Sequence, residues 1–336
     1  MSQQQSVRQF CTEIGKDPLL VQGAGGNVSW KEDDTLWVKA SGTWLADAND
    51  ENIFVPVNLE HLKDALKKQE YTVIPKTIED TSLKPSIETL LHALIPHRIV
   101  VHLHAIEVLA HLVRKNFDLI HYPNFNKTLN ARTVEYCKPG AELAEAIANQ
   151  LNGTDNTQVI FLKNHGVIIG GENINEVSGI LEYLSDFFYS PEIALSLRTF
   201  EAKNTLINGV DFYPVNEKKL HELVLNPKLI KHLTLNWVLY PDHVVFLGPY
   251  PFIYDSIEHA QYELAKSENL PDILFIKNSG VFSKKTLSKA KTAQLVCYYN
   301  VITRQINDGA LAPLTNKQIT ELIDWDAEKH RMRFAK

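Results

Sequence analysis

The chain has 336 residues, with 34 Lys and Arg against 40 Asp and Glu and a formal net charge of -6. That length accommodates one large or two ordinary domains with a buried core, and a mixed, slightly acidic charge without a basic stripe excludes nucleic acid as a partner. No apolar run reaches membrane-spanning length, residues 1–8 lack the apolar core of a signal peptide, and Cys11, Cys137 and Cys297 fit the reduced thiols of a cytoplasmic protein.

In chain order, residues 7–20 predict a helix that Gly23-Ala-Gly-Gly26 breaks, and Thr35-Leu-Trp-Val-Lys39 alternates as a strand before Ala40-Ser-Gly-Thr43. Residues 59–68 predict a short amphipathic helix. Pro85 and Ser86 open another, since proline fits a first turn and a serine hydroxyl accepts from free N–H groups. The apolar stretch Arg98-Ile-Val-Val-His-Leu-His104 reads as a buried strand, followed by a helix near 106–114 and a loop around Asn124. A helix over 141–151, a strand over 158–162, Asn164-His-Gly166, Val167-Ile-Ile169, a turn at Gly170-Gly171 and a long helix from about Asn175 complete an α/β first half.

His102 and His104 are the most informative residues. Two apart on a strand, they point the same way, with Leu103 turned to the other face. Imidazole is the commonest metal ligand, although such a pair alone is in most folds simply a polar strand end. His165, at another strand end on a glycine-flanked turn, is the natural third ligand of an open tripod. Glu88 precedes the His-x-His strand and can bind an ion or act as a general base. His92, one turn later, reads as a packing or supporting residue. The small-residue turns around Asn27 and Ser41, with Ser86, can cradle a phosphate. They match neither the P-loop nor the dinucleotide fingerprint.

The second half contains an apparent echo. Ile273-Leu-Phe-Ile-Lys-Asn-Ser-Gly-Val-Phe282 aligns with Val159-Ile-Phe-Leu-Lys-Asn-His-Gly-Val-Ile168, and His243-Val-Val-Phe-Leu-Gly248 with Ile99-Val-Val-His-Leu-His104. Ser279 then stands for His165, and Phe246 and Gly248 for His102 and His104, so the copy lacks metal ligands. A soft boundary gives residues 1–205 as the catalytic domain and 206–336 as a smaller α/β lobe, a degenerate repeat.

Gly25-Gly-Asn-Val-Ser29, Ala40-Ser-Gly-Thr43, Pro85-Ser-Ile-Glu88, Val101-His-Leu-His104 and Asn164-His-Gly166 together resemble the class II aldolase/adducin-head family, over about residues 5–200. The resemblance implies a three-layer α/β/α sandwich around a mostly antiparallel sheet, homo-oligomers (dimer or tetramer) and a divalent metal, usually zinc. It places the metal on His102, His104 and His165, acid/base work on Glu88, and phosphate on Gly26, Asn27, Ser41, Gly42 and Ser86. Tyr122 matches a tyrosine that serves as proton donor. Ile87 departs from the second serine common in family aldolases. The extended second half looks similar to the aldolase domain of bifunctional rhamnulose-phosphate aldolase/alcohol dehydrogenases. The implied function is retro-aldol cleavage of a phosphorylated ketose or related hydroxy-carbonyl compound through a metal-stabilised enediolate. Epimerisation, dehydration and decarboxylation share the same ligands. A non-catalytic module of the adducin-head kind fits less well, because the three histidines and Glu88 are all present.

Overall fold

A computed structural model describes residues 2–151, 156–193, 203–305 and 310–323, together with 325, 326 and 329. Strands β1 (Asn27–Glu32), β2 (Thr35–Lys39), β3 (Phe54–Asn58), β4 (Ile99–Leu103), β5 (Ala131–Val134), β6 (Val159–Leu162) and β7 (Gly166–Gly171) form one seven-stranded sheet. Its order is β3-β2-β1-β4-β7-β6-β5, and every neighbouring pair is antiparallel except β5 with β6. Alternation along the strands builds two cores. Ile99, Val101 and Leu103 face the helices Gln3–Gly15, Ile106–Leu112 and Ile174–Phe187. Val100, Ile160 and Ile168 face the helices Leu59–Lys67, Thr89–Leu94 and Ala141–Gln150. Apolar stripes on both sides of one sheet give the expected α/β/α sandwich.

Local chemistry shifts some boundaries. The first helix runs Gln3–Gly15 rather than 7–20, because Ser2 and Gln5 form a capping box and Asp17-Pro18 follows its end. Asn27-Val-Ser29, read as part of a turn, begins β1, and Gly170-Gly171 belongs to β7. A glycine added to this strand is needed for space, since a Cβ on Gly170 would lie 2.3 Å from His97 Cδ2.

The second sheet contains β8 (Thr205–Ile207), β9 (Val210–Pro214), β10 (Ile253–Tyr254), β11 (Ile273–Ile276) and β12 (Gly280–Lys284), in the order β10-β11-β12-β9-β8. The β11–β12 hairpin repeats the β6–β7 hairpin. Leu162 pairs with Gly166 and Ile276 with Gly280, and the turn residues Asn164 and Asn278 share a left-handed backbone at φ 55 and 56. Each hairpin has a parallel strand on one side, β5 or β10, and a helix after it, Ile174–Phe187 or Lys289–Thr303.

The second expected match fails. Residues 241–247 form a buried helix, Pro241–Leu247, in place of a strand. Pro241 supplies the first-turn φ, Tyr240 is the extended cap, and Gly248 at φ 85 ends the helix. A short apolar run is compatible with either element, and the flanking proline and glycine decide it. By register the strand opposite β12 is β9: Phe282 pairs with Pro214 as Ile168 pairs with His102. Pro214 and Asn216, not Phe246 and Gly248, therefore occupy the places of His102 and His104.

The lobes meet through a shared core. Ala24, Ile106, Leu109 and Val113 pack with Leu220, Leu223, Leu233, Val244 and Leu295. Arg304 pairs with Glu107 at 2.9 Å, and the Asn164 amide donates to Leu239 O at 2.9 Å and Ala312 O at 2.7 Å. Among the described residues no helix is long and apolar enough to cross a membrane.

Two histidines are buried here without serving the site described below. Burial pushes His243 down to about 3. At His111, burial and the Arg114 charge outweigh the Phe188 carbonyl and lower it to about 4. Both are neutral when folded and free to protonate near 6.5 when unfolded, so the unfolded chain binds more protons below that pH. Stability is expected to be complete above pH 6.5 and to fall by on the order of 2–4 kcal/mol by pH 4.5. Urea midpoints at pH 7.5 and 4.5 check this, and equal midpoints would contradict it.

Candidate active site

β4 is buried along its whole length, and His102 points to the same face as Val100 while His104 lies just past the strand end. Antiparallel pairing sets Leu103 opposite Val167, which brings the start of β7 beside the end of β4. The preceding turn carries His165 into that junction. The imidazoles of His102, His104 and His165 consequently meet, with ring centroids 4.8–5.3 Å apart and one potential ligand atom from each within 4.8 Å of the others. Gly166 makes the approach possible: a Cβ there would sit 2.4 Å from Leu103 O, 3.0 Å from His104 Cδ2 and 3.2 Å from His102 Cε1.

Glu88 occupies the cap position of the helix Thr89–Leu94 rather than its interior, and its side chain turns from the helix to the histidines. Oε2 stands 3.6 Å from His102 Nε2 and Oε1 stands 3.7 Å from His165 Nε2. The segment before it is tied to the end of β2 by the Ala40–Pro85 bridge and by Ser86 N donating to Lys39 O at 3.2 Å. Asn27, opposite His102 in register, donates its amide to Glu88 Oε2 at 2.8 Å. Its carbonyl oxygen bonds His92 Nε2, and His92 Nδ1 lies 2.7 Å from Ser29 Oγ. One tautomer satisfies this chain: His92 donates from Nε2 to Asn27 and accepts from Ser29 at Nδ1. His92 thus supports the site through Asn27.

Electrostatics agree with the geometry. Burial lowers His165 and His92 to about 3 and depresses His102, leaving the neutral imidazoles that metals bind. Burial alone would raise the Glu88 carboxyl. As pH falls His102 and His165 protonate first, and their charge with the Asn27 amide then outweighs burial and holds Glu88 at about 2, so at neutral pH it is a carboxylate beside neutral imidazoles. Glu88 Oε1, His102 Nε2 and His165 Nδ1 are buried without a hydrogen-bond partner. Unpaired buried acceptors are costly, and a divalent cation among three imidazoles and a carboxylate would relieve that cost. The residues fit such an ion.

Gly26, Asn27, Ser41, Gly42, Ser86, Glu88, His104 and His165 line one cavity, so the two small-residue turns converge as expected. Gly26 and Gly42 have φ of +65 and +81, which favour glycine. Ser41 N is engaged by Lys84 O and Glu88 N by Ser86 Oγ, so the hydroxyls of Ser41 and Ser86 are what these residues offer an anion. Tyr122 lies apart from this cavity. Its hydroxyl is 2.8 Å from His111 Nδ1, and its ring packs with Phe117, Phe187 and Phe188. The sequence reading missed two charged lining residues. Lys39, 3 % exposed, ends β2 with Nζ 3.2 Å from Ala24 O. Asp242, 2 % exposed, arrives from the C-terminal lobe with Oδ2 3.4 Å from His104 Nδ1.

Residues 5–189 match the family described as the Class II Aldolase and Adducin N-terminal domain. The chain belongs to that family. Class II aldolase relatives include an L-fuculose phosphate aldolase of Methanococcus vannielii, 29 % identical over 189 residues, covering 54 % of this chain and 91 % of that protein. The uncharacterized oxidoreductase YuxG of Bacillus subtilis is 27 % identical over 175 residues, covering 47 % of this chain. This match spans only 25 % of YuxG. A solved N-terminal class II aldolase domain from Thermoplasma acidophilum is 27 % identical, covers 56 % of this chain and 94 % of that one, and superposes with a TM-score of 0.45. The C-terminal lobe that carries Asp242 lies beyond the matched family residues.

Gly166→Ala is expected to force β4 and the His165 turn apart, costing on the order of 1–3 kcal/mol and the site's affinity for divalent metal. Gly179→Ala, in the helix Ile174–Phe187 with nothing within 4 Å of the added Cβ, is expected to be neutral or stabilising. Thermal melts and metal analysis of the two variants check the contrast.

Proposed function

We propose that the chain is a divalent-metal-dependent lyase that cleaves a phosphorylated ketose or a related hydroxy-carbonyl compound by a retro-aldol reaction. His102, His104 and His165 would hold the ion, for which zinc suits the three-imidazole donor set. A bound ion would supply Lewis-acid polarisation of the substrate's carbonyl oxygen. The observation that carries the reading is Glu88: one oxygen is held by Asn27 and the other, buried among imidazoles, has no partner. That second oxygen is the one available to move a proton.

In cleavage, Glu88 would take the proton of the distal hydroxyl as the carbon–carbon bond breaks, and the carbon bearing that hydroxyl becomes the aldehyde. The electron pair passes to the ketone-derived fragment, and Glu88 returns a proton to that fragment's carbon. Lys39, Ser41, Gly42, Ser86 and Gly26 would bind the phosphate at the other end of the cavity. Two carboxylates and one ammonium leave the lining net negative, a sign that a divalent cation reverses, so metal and phosphate would favour each other's binding. Tyr122 is not assigned a part within this chain's own cavity. The same reading includes homo-oligomeric assembly, which light scattering measures.

Metal analysis of the purified protein, with NMR of products from a panel of four- to six-carbon ketose phosphates, tests the proposal. Two fragments are expected; an isomer alone would point to epimerisation instead. His102→Ala is expected to lose both metal and activity. Glu88→Gln is expected to keep the protein folded while lowering turnover by about 10²–10⁴-fold. A Glu88→Gln variant with undiminished cleavage would remove the proposed base.

A further inference from the structure

The two histidines of the His-x-His strand are oriented by different parts of the chain. His102 Nδ1 lies 3.2 Å from Val167 O, a backbone carbonyl of the same sheet. That contact makes Nδ1 the protonated nitrogen and leaves Nε2, which is buried without a partner, as the atom for an ion. His104 lies past the strand end, and the group at its Nδ1 is Asp242 Oδ2, at 3.4 Å.

Asp242 sits in the first turn of the helix Pro241–Leu247, and Gln294 Nε2, from the helix Lys289–Thr303, approaches the same oxygen at 3.3 Å. Gly25 leaves the space for this meeting, since a Cβ there would stand 3.1 Å from Asp242 Oδ2 and 3.4 Å from His104 Nδ1. A buried carboxylate is costly unless a donor meets it, and here it faces one ring nitrogen of a metal-site histidine. Asp242 lies outside the cluster of atoms able to share an ion. Its contact is with the ligand.

We propose that Asp242 is a positioning residue for the metal centre. Its carboxylate takes the Nδ1–H of His104, fixes the ring and its tautomer, and presents Nε2 to the ion. The C-terminal lobe thereby contributes to the affinity of a site whose ligands all lie in the first half. This rests on the reading that His102, His104 and His165 hold a divalent ion.

The test is Zn2+ affinity of the full chain, measured by chelator competition for the parent, Asp242→Asn, Asp242→Ala, His104→Ala and the His104→Ala/Asp242→Asn double variant. Visible absorption of the Co2+-loaded parent and Asp242→Asn is recorded alongside. Asp242→Ala is expected to weaken Zn2+ binding about 10–100-fold, and Asp242→Asn less, with shifted Co2+ bands. On the His104→Ala background, Asp242→Asn is expected to add nothing. Asp242→Asn is nearly isosteric, so it carries the test if the alanine variant fails to fold. Unchanged affinity and spectrum in Asp242→Asn would overturn the proposal, as would an equal loss with and without His104. A parent that binds no Zn2+ overturns the metal reading as well; a parent that binds while Asp242→Asn matches it overturns this inference alone.

Discussion

A carboxylate only 5 % exposed can remain ionised in a protein interior if its surroundings complete its charge and its hydrogen bonds. Glu88 is such a group, and much of the first lobe is arranged around it. The antiparallel register of β1 with β4 sets Asn27 opposite His102, so the amide that holds the carboxylate and the imidazole beside it are positioned by the same ladder. The pairing of β4 with β7 then delivers His165. Burial depresses His102 and His165, and with the Glu88 carboxylate they make a donor set of low total charge. That composition suits a dication.

The two lobes are joined at the histidine cluster. Asn164, immediately before His165, ties its side chain to carbonyls of Leu239 and Ala312, and Asp242 stands against His104. The helix Ile106–Leu112 is buried on every residue, with Val108 and Leu112 in the sandwich core and Ile106 and Leu109 in the core shared with the second lobe. Its two polar residues are buried with partners, Glu107 against Arg304 at 2.9 Å and His111 against the Tyr122 hydroxyl at 2.8 Å. The C-terminal lobe is therefore continuous with the first half in packing as well as in the cavity lining.

The histidine triad was legible in the sequence because its signal is local: a spacing of two on an apolar strand, and a histidine before a glycine that permits close approach. The β11–β12 hairpin was legible for a similar reason, since Lys-Asn-x-Gly specifies a turn with one left-handed residue. Glu88 was legible as a carboxylate but not as a cap residue facing away from its helix, which depends on the long-range Ala40–Pro85 bridge. Residues 243–248 read as a strand from their apolar run, and Pro241 and Gly248, which bound the helix, carried the better information. Asp242 and Lys39 were not legible. Each is a single charged residue at the end of an element, and its meaning comes from partners distant in sequence. Tyr122 matched a loop position in the sequence, yet the hydrogen bond to His111 and the aromatic packing hold it away from the cavity.

The second sheet shows what a pair of histidines needs besides itself. Within the described residues β8 begins at Thr205, opposite Phe212, so no strand lies beside Pro214 on the side where β1 flanks His102. Imidazoles installed at positions 214, 216 and 279 would have no counterpart of Asn27 and, through it, no held carboxylate. Ligand residues are interchangeable letters, but the neighbouring strand that orients them is architecture, and this sheet stops two residues short of it.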